Sequence, residues 1–392
     1  MSSQSSSSLH LTHKQRLLKR VRRAVIKIGS SILSGQTGIN RLRLRSLAEE
    51  ICALHQRGVE LVVVSSGAVA AGMARLGVTE RPKSMPQRQA AAAVGQIDLM
   101  ALYKEYFALH ATQVAQILLT HDDLADRSRY LNARHTIETL IAAGVVPVAN
   151  ENDTVVIDEL MRNFGDNDNL SALIAGLVEG DLLVLLSDVA GLYTEDPHAH
   201  PDAQLVTVVE DASRAAASCA MDGRGALGTG GMASKFAAAR KAAAAGIPTV
   251  IADGLHPGVL PAVFDPRQAV GTLILPRGDR LARRKHWIAY TLKPAGTLIV
   301  DQGAFEAIVQ KGRSLLPKGL KEVQGKFGSG ECVRCVDLSG REFARGLVNY
   351  SAADLEKIKG AHSARIESIL GYQLTDEVIH RNDLVLTGSP ES

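Results

Sequence analysis

Along the first 275 residues, short runs of aliphatic and β-branched residues alternate with stretches whose apolar positions recur every three or four. RAVIKI (23–28) is one such run and stops at Gly29. Residues 41–57 place Leu42, Leu44, Leu47, Ile51 and Leu54 at helical spacing and end at Gly58. Further strands are predicted at VELVVVSSG (59–67), TQVAQILLT (112–120), GVVPVAN (144–150), DLLVLLSD (181–188) and GIPTVIADG (246–254). Helices are predicted at about 86–109, from the third strand to about 143, from NFGDNDNLSALIAG (163–176) and through GALGTGGMASKFAAARKAAAAG (225–246). Uninterrupted apolar strands separated by helices predict an α/β fold, a mainly parallel sheet sandwiched by helices.

After about residue 275 the pattern changes. LPRGDRLARRKHWI (275–288) is basic and loop-like; β-type runs then alternate with glycine every five to ten residues, with one helix near 352–359. The expected division is an α/β domain at 23–276, a linker at 277–285 and a small β-rich domain at 286–385. The opening MSSQSSSSLHLTHKQRLLKRVRR is serine-rich, then basic, and lacks the apolar core of a signal peptide, so residues 1–22 are expected to be a disordered tail.

Composition narrows the class. Hydrophobic residues make up 46% and charged residues 22% of 392, an ordinary balance for a globular chain of two or three domains. A net charge of +3 is too small to argue for nucleic acid or membrane partners. No run approaches the ~20 apolar residues that span a bilayer. Four scattered cysteines (Cys52, Cys219, Cys332, Cys335) suit a reduced, cytoplasmic setting rather than a disulfide framework.

In parallel sheets, ligands sit beyond the carboxyl ends of the strands. Polar residues gather there: Lys27 to Ser31, Ser65 to Gly67, Asn150 to Asp153, and Ser187 with Asp188. Four glycines precede the alanine-rich helix at 225–246, where bare backbone can approach an anion and the helix start offers N–H groups. Lys235 is expected in the first turn of that helix, against the dipole, a placement that makes sense if a phosphate bridges the two. The spacing is not that of a Walker A loop, and the plain alternative is a flexible loop with an exposed lysine. Lys27 sits in an apolar strand, where a lysine is rarely buried unless paired; its alternative is to snorkel at the strand end. Two lysines beside two glycine-rich turns suggest phosphoryl transfer, which needs positioning and charge neutralisation. Asp166, Asn167 and Asp168 exceed what one helix cap requires. They would form a polar rim that holds the lysines and helps to hold Mg²⁺, or else merely over-cap the helix.

Taken in order, VIKIGSSIL (25–33), VVVSSGAVAAG (62–72), AAVGQ (92–96), LLTHDDLADRSRYLNAR (118–134), VPVANENDTV (146–155), GDNDNLSALIAGL (165–177), SDVAGLYTEDP (187–197) and GTGGMASK (228–235) make the chain resemble the amino acid kinase family. The resemblance spans about residues 23–385 and is to those members that phosphorylate the γ-carboxylate of L-glutamate. GRSLLPKGL (312–320) and RGLVNYS (345–351) resemble the PUA domain appended to many of them. The resemblance implies ATP and Mg²⁺ as cofactors, L-glutamate as substrate, the first step of proline biosynthesis, proline as feedback inhibitor and a homo-oligomer. It also implies that Lys27, Asp168 and Lys235 are catalytic, with Asp168 organising the two lysines. Ser66, Asp153 and Asn167 would bind glutamate, Asp153 by its ammonium. Lys27, Ser187, Asp188, Thr229, Gly230, Gly231, Met232, Ala233, Ser234 and Lys235 would hold ATP. Ser187 stands where the family often has Thr, and Ala233 where it often has Ser; the backbone N–H groups of the phosphate loop remain. A carboxylate acceptor is ionised at pH 7 and needs no general base, in keeping with the absence of histidine from the four strand-end clusters named above (27–31, 65–67, 150–153 and 187–188).

Other features carry less. CVRC (332–335) has C-x-x-C spacing without a second pair, and an offset of three on a strand puts Cys332 and Cys335 on opposite faces. HAHP (198–201) reads as a surface turn. Two other functions stay open: another amino acid kinase, acting on acetylglutamate or aspartate, and an RNA-binding regulator working through the PUA-like domain. The basic RLARRKHW (280–287) reads more simply as a solvated linker.

Overall fold

The structure, a computed structural model, describes residues 3–35, 38–80, 82, 84–155, 167–195, 197, 200–212, 231–276 and 294–387. Asp166, Cys219, Thr229, Gly230 and the expected linker at 277–285 lie outside the described residues. The chain divides into two compact units, Met1–Ala125 with Ala133–Arg277, and Asp126–Asn132 with Gly278–Ser392.

In the first unit, helix α1 (Ser3–Leu18) leads into strand β1 (Arg23–Ile28). A one-turn helix α2 (Ser30–Leu33), a minimal hairpin of β2 (Ser34–Gly35) and β3 (Gly38–Ile39), helix α3 (Arg41–Gln56) and strand β4 (Glu60–Ser65) follow. Helices α4 (Ala68–Arg75) and α5 (Met85–Ala108) precede β5 (Gln113–Leu119), and α6 (His121–Ala125) and α7 (Arg127–Ala142, of which 133–142 belong to this unit) precede β6 (Val145–Glu151). Then come α8 (Asn167–Leu177), β7 (Leu182–Ser187), β8 (Val208–Val209), α9 (Gly231–Ala244), β9 (Thr249–Asp253), α10 (Val259–Val263) and β10 (Thr272–Ile274). Eight strands form one sheet in the order β5-β6-β4-β1-β7-β9-β10-β8, parallel except where β10 runs against β9.

Strand β1 lies inside this sheet, with Lys27 opposite Val64 of β4 and Leu185 of β7. Its side chains alternate between faces. Ala24, Ile26 and Ile28 join the core that α3 and α5 supply with Leu44, Leu47, Ile51, Leu99 and Tyr103. Val25 and Lys27 therefore face the other layer, where α8 packs on β1 and α9 packs on α8. On α3, Leu42 departs from the expected inward face and is 83% exposed. Helix α4 is barely visible as a pattern, because AVAAGMAR has little large apolar surface. Glycines let it lie hard against α5: a Cβ on Gly72 would stand 1.7 Å from Ala91 O, and one on Gly95 would stand 1.9 Å from Ala68 O.

Residues 1–22 are not the expected disordered tail, since most of them form α1. The ring Nδ1 of His10 meets Thr207 O at 2.9 Å, and Lys14 Nζ donates to Ala262 O (2.7 Å) and Gln268 O (2.6 Å). Leu17, Leu18 and Val21 pack on the core. Positions 10, 14, 17 and 18 share one helical face. Two of them are polar, so hydrophobic periodicity conceals the docking.

The second unit contains β11 (Gly296–Val300), α11 (Gln302–Val309), β12 (Leu320–Gly325), β13 (Cys332–Val336), β14 (Glu342–Leu347), α12 (Ala352–Ile358), α13 (Ile366–Leu370) and β15 (Leu384–Leu386). Its sheet runs β12-β11-β13-β14-β15 over a separate core that includes Leu298, Val333, Phe343 and Tyr350. Cys335 belongs to that core and Cys332 to a separate small cluster with Leu347; both thiols are free and buried.

Burial pushes the Lys14 ammonium down to about 8, with Asp265 pulling it up. The folded chain thus binds fewer protons than the unfolded chain between about pH 8 and the ordinary value of 10.5, so Lys14's contribution to stability rises with pH across that window. Lys14→Met strands two carbonyls and is expected to cost about 1–3 kcal/mol. Urea titrations of both proteins at pH 7 and pH 10 check this. The gap should widen at pH 10, and a constant gap would show that α1 does not bury this lysine.

Candidate active site

Helix α8 opens on Asn167 and Asp168, each 4% exposed. Consecutive helical residues project about 100° apart, so the two side chains serve different neighbours. Asp168 Oδ1 lies 2.7 Å from Lys27 Nζ. Asp168 Oδ2 accepts from Ser234 Oγ at 3.0 Å and from Lys235 Nζ at 3.4 Å. Lys235 is the fifth residue of α9 rather than part of its opening turn. Its side chain runs back toward the helix start, as long helical side chains do, and Nζ also donates to Gly231 O at 3.3 Å. All three charged groups are buried. Burial alone would push the Asp168 carboxyl up; Lys27 and Lys235 outweigh it and hold the carboxyl below its ordinary value. At ~4 Å and an effective dielectric of ~20, one such attraction is about 4 kcal/mol. Two cations on one carboxylate leave a net positive charge, which suits an incoming anion.

Asn167 turns the other way. Its Nδ2 has two hydrogens to share among three acceptors, Ser65 O (3.0 Å), Ser66 Oγ (2.8 Å) and Asn150 Oδ1 (3.0 Å), while its buried Oδ1 has no partner among the described residues. Ser66, Asn150, Asp153 and Asn167 line a cavity of about 380 Å³. Gly67, at φ +108°, turns the chain from β4 into α4 and lets Ser66 face that cavity. Asp153 opens a single 3₁₀ turn just after β6. Burial, then the nearby Glu151, push its carboxyl up to about 7.

The remaining expected residues are more scattered. Ser187 is buried at the end of β7; its Oγ donates to the exposed Asp188 at 3.2 Å and its carbonyl accepts from Gly254 N at 2.6 Å. Gly231, Met232 and Ala233 open α9, and Thr229 and Gly230 lie outside the described residues. The structure thus brings Lys27, Asp168, Ser234 and Lys235 together, and Ser66, Asp153 and Asn167 around one cavity. The two groups meet at consecutive residues of α8. Among the described residues, no group of three or more His, Cys, Asp or Glu could hold a metal ion. Sequence pattern did not single out Gln96 individually, yet its Oε1 accepts from Asn150 Nδ2 at 2.8 Å. The only signal was its place at the end of AAVGQ.

The amino acid kinase family model matches residues 22–253, and the PUA domain model matches residues 296–370. The chain is 50% identical over 374 residues to "Glutamate 5-kinase" of Citrifermentans bemidjiense, covering 95% of this chain and 100% of that one. It is 53% identical over 371 residues to "Glutamate 5-kinase" of Geobacter metallireducens (94% and 99% covered) and 52% identical over 366 residues to that of Pseudomonas paraeruginosa (93% and 98% covered). The chain belongs to the amino acid kinase family and, within it, to the glutamate 5-kinases.

Asp168→Asn keeps the shape of the side chain and removes its charge, leaving Lys27 and Lys235 buried against each other. Breaking a buried pair costs about 3–5 kcal/mol, so the variant is expected to lose stability of that order at pH 7. Lys235→Ala should spare stability more and lower turnover by several orders of magnitude, at about tenfold per 1.4 kcal/mol. Chemical denaturation and turnover measured on both variants check the assignment. An Asp168→Asn protein of unchanged stability would show that the two lysines do not depend on this carboxylate.

Proposed function

We propose that this chain transfers the γ-phosphoryl group of ATP to the γ-carboxylate of L-glutamate, giving L-glutamyl 5-phosphate and ADP at the start of proline biosynthesis. The observation that carries the reading is the buried Lys27–Asp168–Lys235 cluster, joined through Asn167 to the cavity that Asp153 lines. A carboxylate oxygen attacks the γ-phosphorus, the bond to the bridging oxygen breaks, and the electron pair leaves on the β-phosphate of ADP. No proton moves, since the acceptor is already ionised at pH 7.

The chain's part is electrostatic and geometric. Lys27 and Lys235 neutralise the two anions that must meet. Asp168 is held well on the ionised side by both lysines, so it acts as an anchor for them rather than as a base. The opening residues of α9 offer N–H groups to the nucleotide phosphates. Mg²⁺ would arrive on those phosphates, adding positive charge where the transferring group becomes more anionic. Ser66 and Asn167 would hold glutamate and Asp153 its ammonium. Proline, which shares an α-amino acid head group with glutamate, would compete at the same subsite in a homo-oligomer. The buried free thiols of Cys52, Cys332 and Cys335 fit a reducing cytoplasm, and among the described residues no helix is long and apolar enough to cross a membrane.

Acceptor-dependent ADP release with glutamate, N-acetylglutamate and aspartate tests the reading. Glutamate alone should turn over quickly, and a preference for either of the others would overturn it. The raised Asp153 carboxyl adds a pH signature. It ionises only as pH passes about 7, whereas the substrate ammonium stays protonated. kcat/KM for glutamate should therefore climb from pH 6 to 8 and level off above. Asp153→Asn should flatten that rise and increase the glutamate KM by about ten- to a hundredfold, the worth of one charge-assisted hydrogen bond. The KM for ATP should hardly change. An equal rise in both KM values would remove Asp153 from the acceptor site.

A further inference from the structure

Three side-chain amides run in series, and two of them, Asn150 and Asn167, line the acceptor cavity. Gln96 Oε1 accepts from Asn150 Nδ2 at 2.8 Å, and Asn150 Oδ1 accepts from Asn167 Nδ2 at 3.0 Å. The direction of the series is set at two independent points. Asn167 Nδ2 faces Ser65 O, which can only accept, so the Asn167 amide cannot be reversed. Asn150 Oδ1 also accepts from the backbone N–H of Glu151 at 2.9 Å, which can only donate, so the Asn150 amide cannot be reversed either. Asn150 must then present its Nδ2 to α5, and Gln96 is the side chain that supplies the acceptor. Gln96 closes the series at one end, and at the other stands the buried Asn167 Oδ1, which has no hydrogen-bond partner among the described residues.

The backbone is built to bring Gln96 there. The preceding residue, Gly95, allows α5 to approach the start of α4 more closely than a side chain would permit: a Cβ would stand 1.9 Å from Ala68 O and 2.3 Å from Gly72 N. Ala68 follows Ser66 and Gly67 directly, and α5 also packs on the turn that holds Asp153. One helix thus packs on two of the elements that line the acceptor cavity.

We infer that Gln96 is a positioning residue for the acceptor: the backbone groups fix which way the amides face, and Gln96, by bonding Asn150 Nδ2, holds the Asn150 side chain in place against Asn167 at the cavity. This inference rests on the glutamate reading above. A cavity lined by the Asn167 amide and the Asp153 carboxylate calls for a hydrogen-bond donor with positive charge. A free α-ammonium provides that, whereas an acylated nitrogen offers one neutral N–H. The series therefore bears on selectivity for the free amino acid as well as on affinity.

Steady-state kinetics on the full-length chain test this. Gln96→Met, with similar length and no oxygen, should raise the glutamate KM about tenfold, the usual cost of an unmade buried bond. kcat and the KM for ATP should stay within about twofold, a split that general loosening of the fold would not give. Gln96→Glu retains the acceptor for Asn150 and should keep the glutamate KM within about threefold of wild type. In an Asn167→Ala background, Gln96→Met should add little, because the group against which it holds Asn150 is gone. Full additivity in that background, or parallel rises in both KM values, would overturn the inference. If Gln96→Met does not fold, a tenfold rise in glutamate KM for Gln96→Glu would overturn it alone. Wild-type acceptor preference reads out the glutamate assignment separately, so failure of that assignment is distinguishable from failure of the relay.

Discussion

One carboxylate keeps two buried lysines in place. Without Asp168, Lys27 in the middle of a parallel sheet and Lys235 near the start of α9 would each be a desolvated cation close to another. With it, their charges are held near one point and a surplus positive charge remains. Much of the first unit can be understood from that requirement. Strand alternation sends Lys27 to the face that α8 covers, and α9 packs on α8 so that Lys235 reaches the same carboxylate from the opposite side. Phosphoryl transfer between two anions needs such a fixed field, assembled before the ligands arrive.

The acceptor side is held by different means. Asn167 adjoins Asp168 in the chain, but its environment is neutral amides and hydroxyls rather than ion pairs. Asp153 is the one ionisable residue among the described residues lining its cavity, and burial and Glu151 keep it reluctant to ionise. This contrast suits a substrate with an ammonium at one end and a reacting carboxylate at the other. On the proposed reading, the cations stand where charge must be neutralised, and the acid stands where a cation must be recognised. Because Asn167 and Asp168 share one helix start, displacement of α8 would disturb both sides together.

The layout of the first unit was legible in its sequence because it rests on local regularities. Val and Ile runs ending in Gly29, Gly67 and Asp188 give strands whose ends carry the polar groups, and the period of α3 and α5 follows from burial on one face. The roles expected of Lys27 and Lys235 needed only the rule that lysine in an apolar strand or at a helix start requires an anion. What escaped was local pattern cancelled by tertiary contact. Helix α1 hides its inward face behind His10 and Lys14, and α4 has almost no apolar signal because its contact with α5 is made through Gly72 and Gly95.

Sequence alone therefore determined the alternation of strands and helices, the strand-end location of the polar residues and the need for a charge partner near each lysine. Each follows from the chemistry of neighbours along the chain. Tertiary structure decided which partner. That Asp168 joins residues 141 positions before and 67 after it, and that Gln96 of α5 bonds Asn150 at the end of β6, depends on crossovers that bring distant strand ends to one edge of the sheet. Hydrogen-bond direction was decided there too. An amide in a sequence can point either way, and only the fixed backbone groups at Ser65 and Glu151 choose between them.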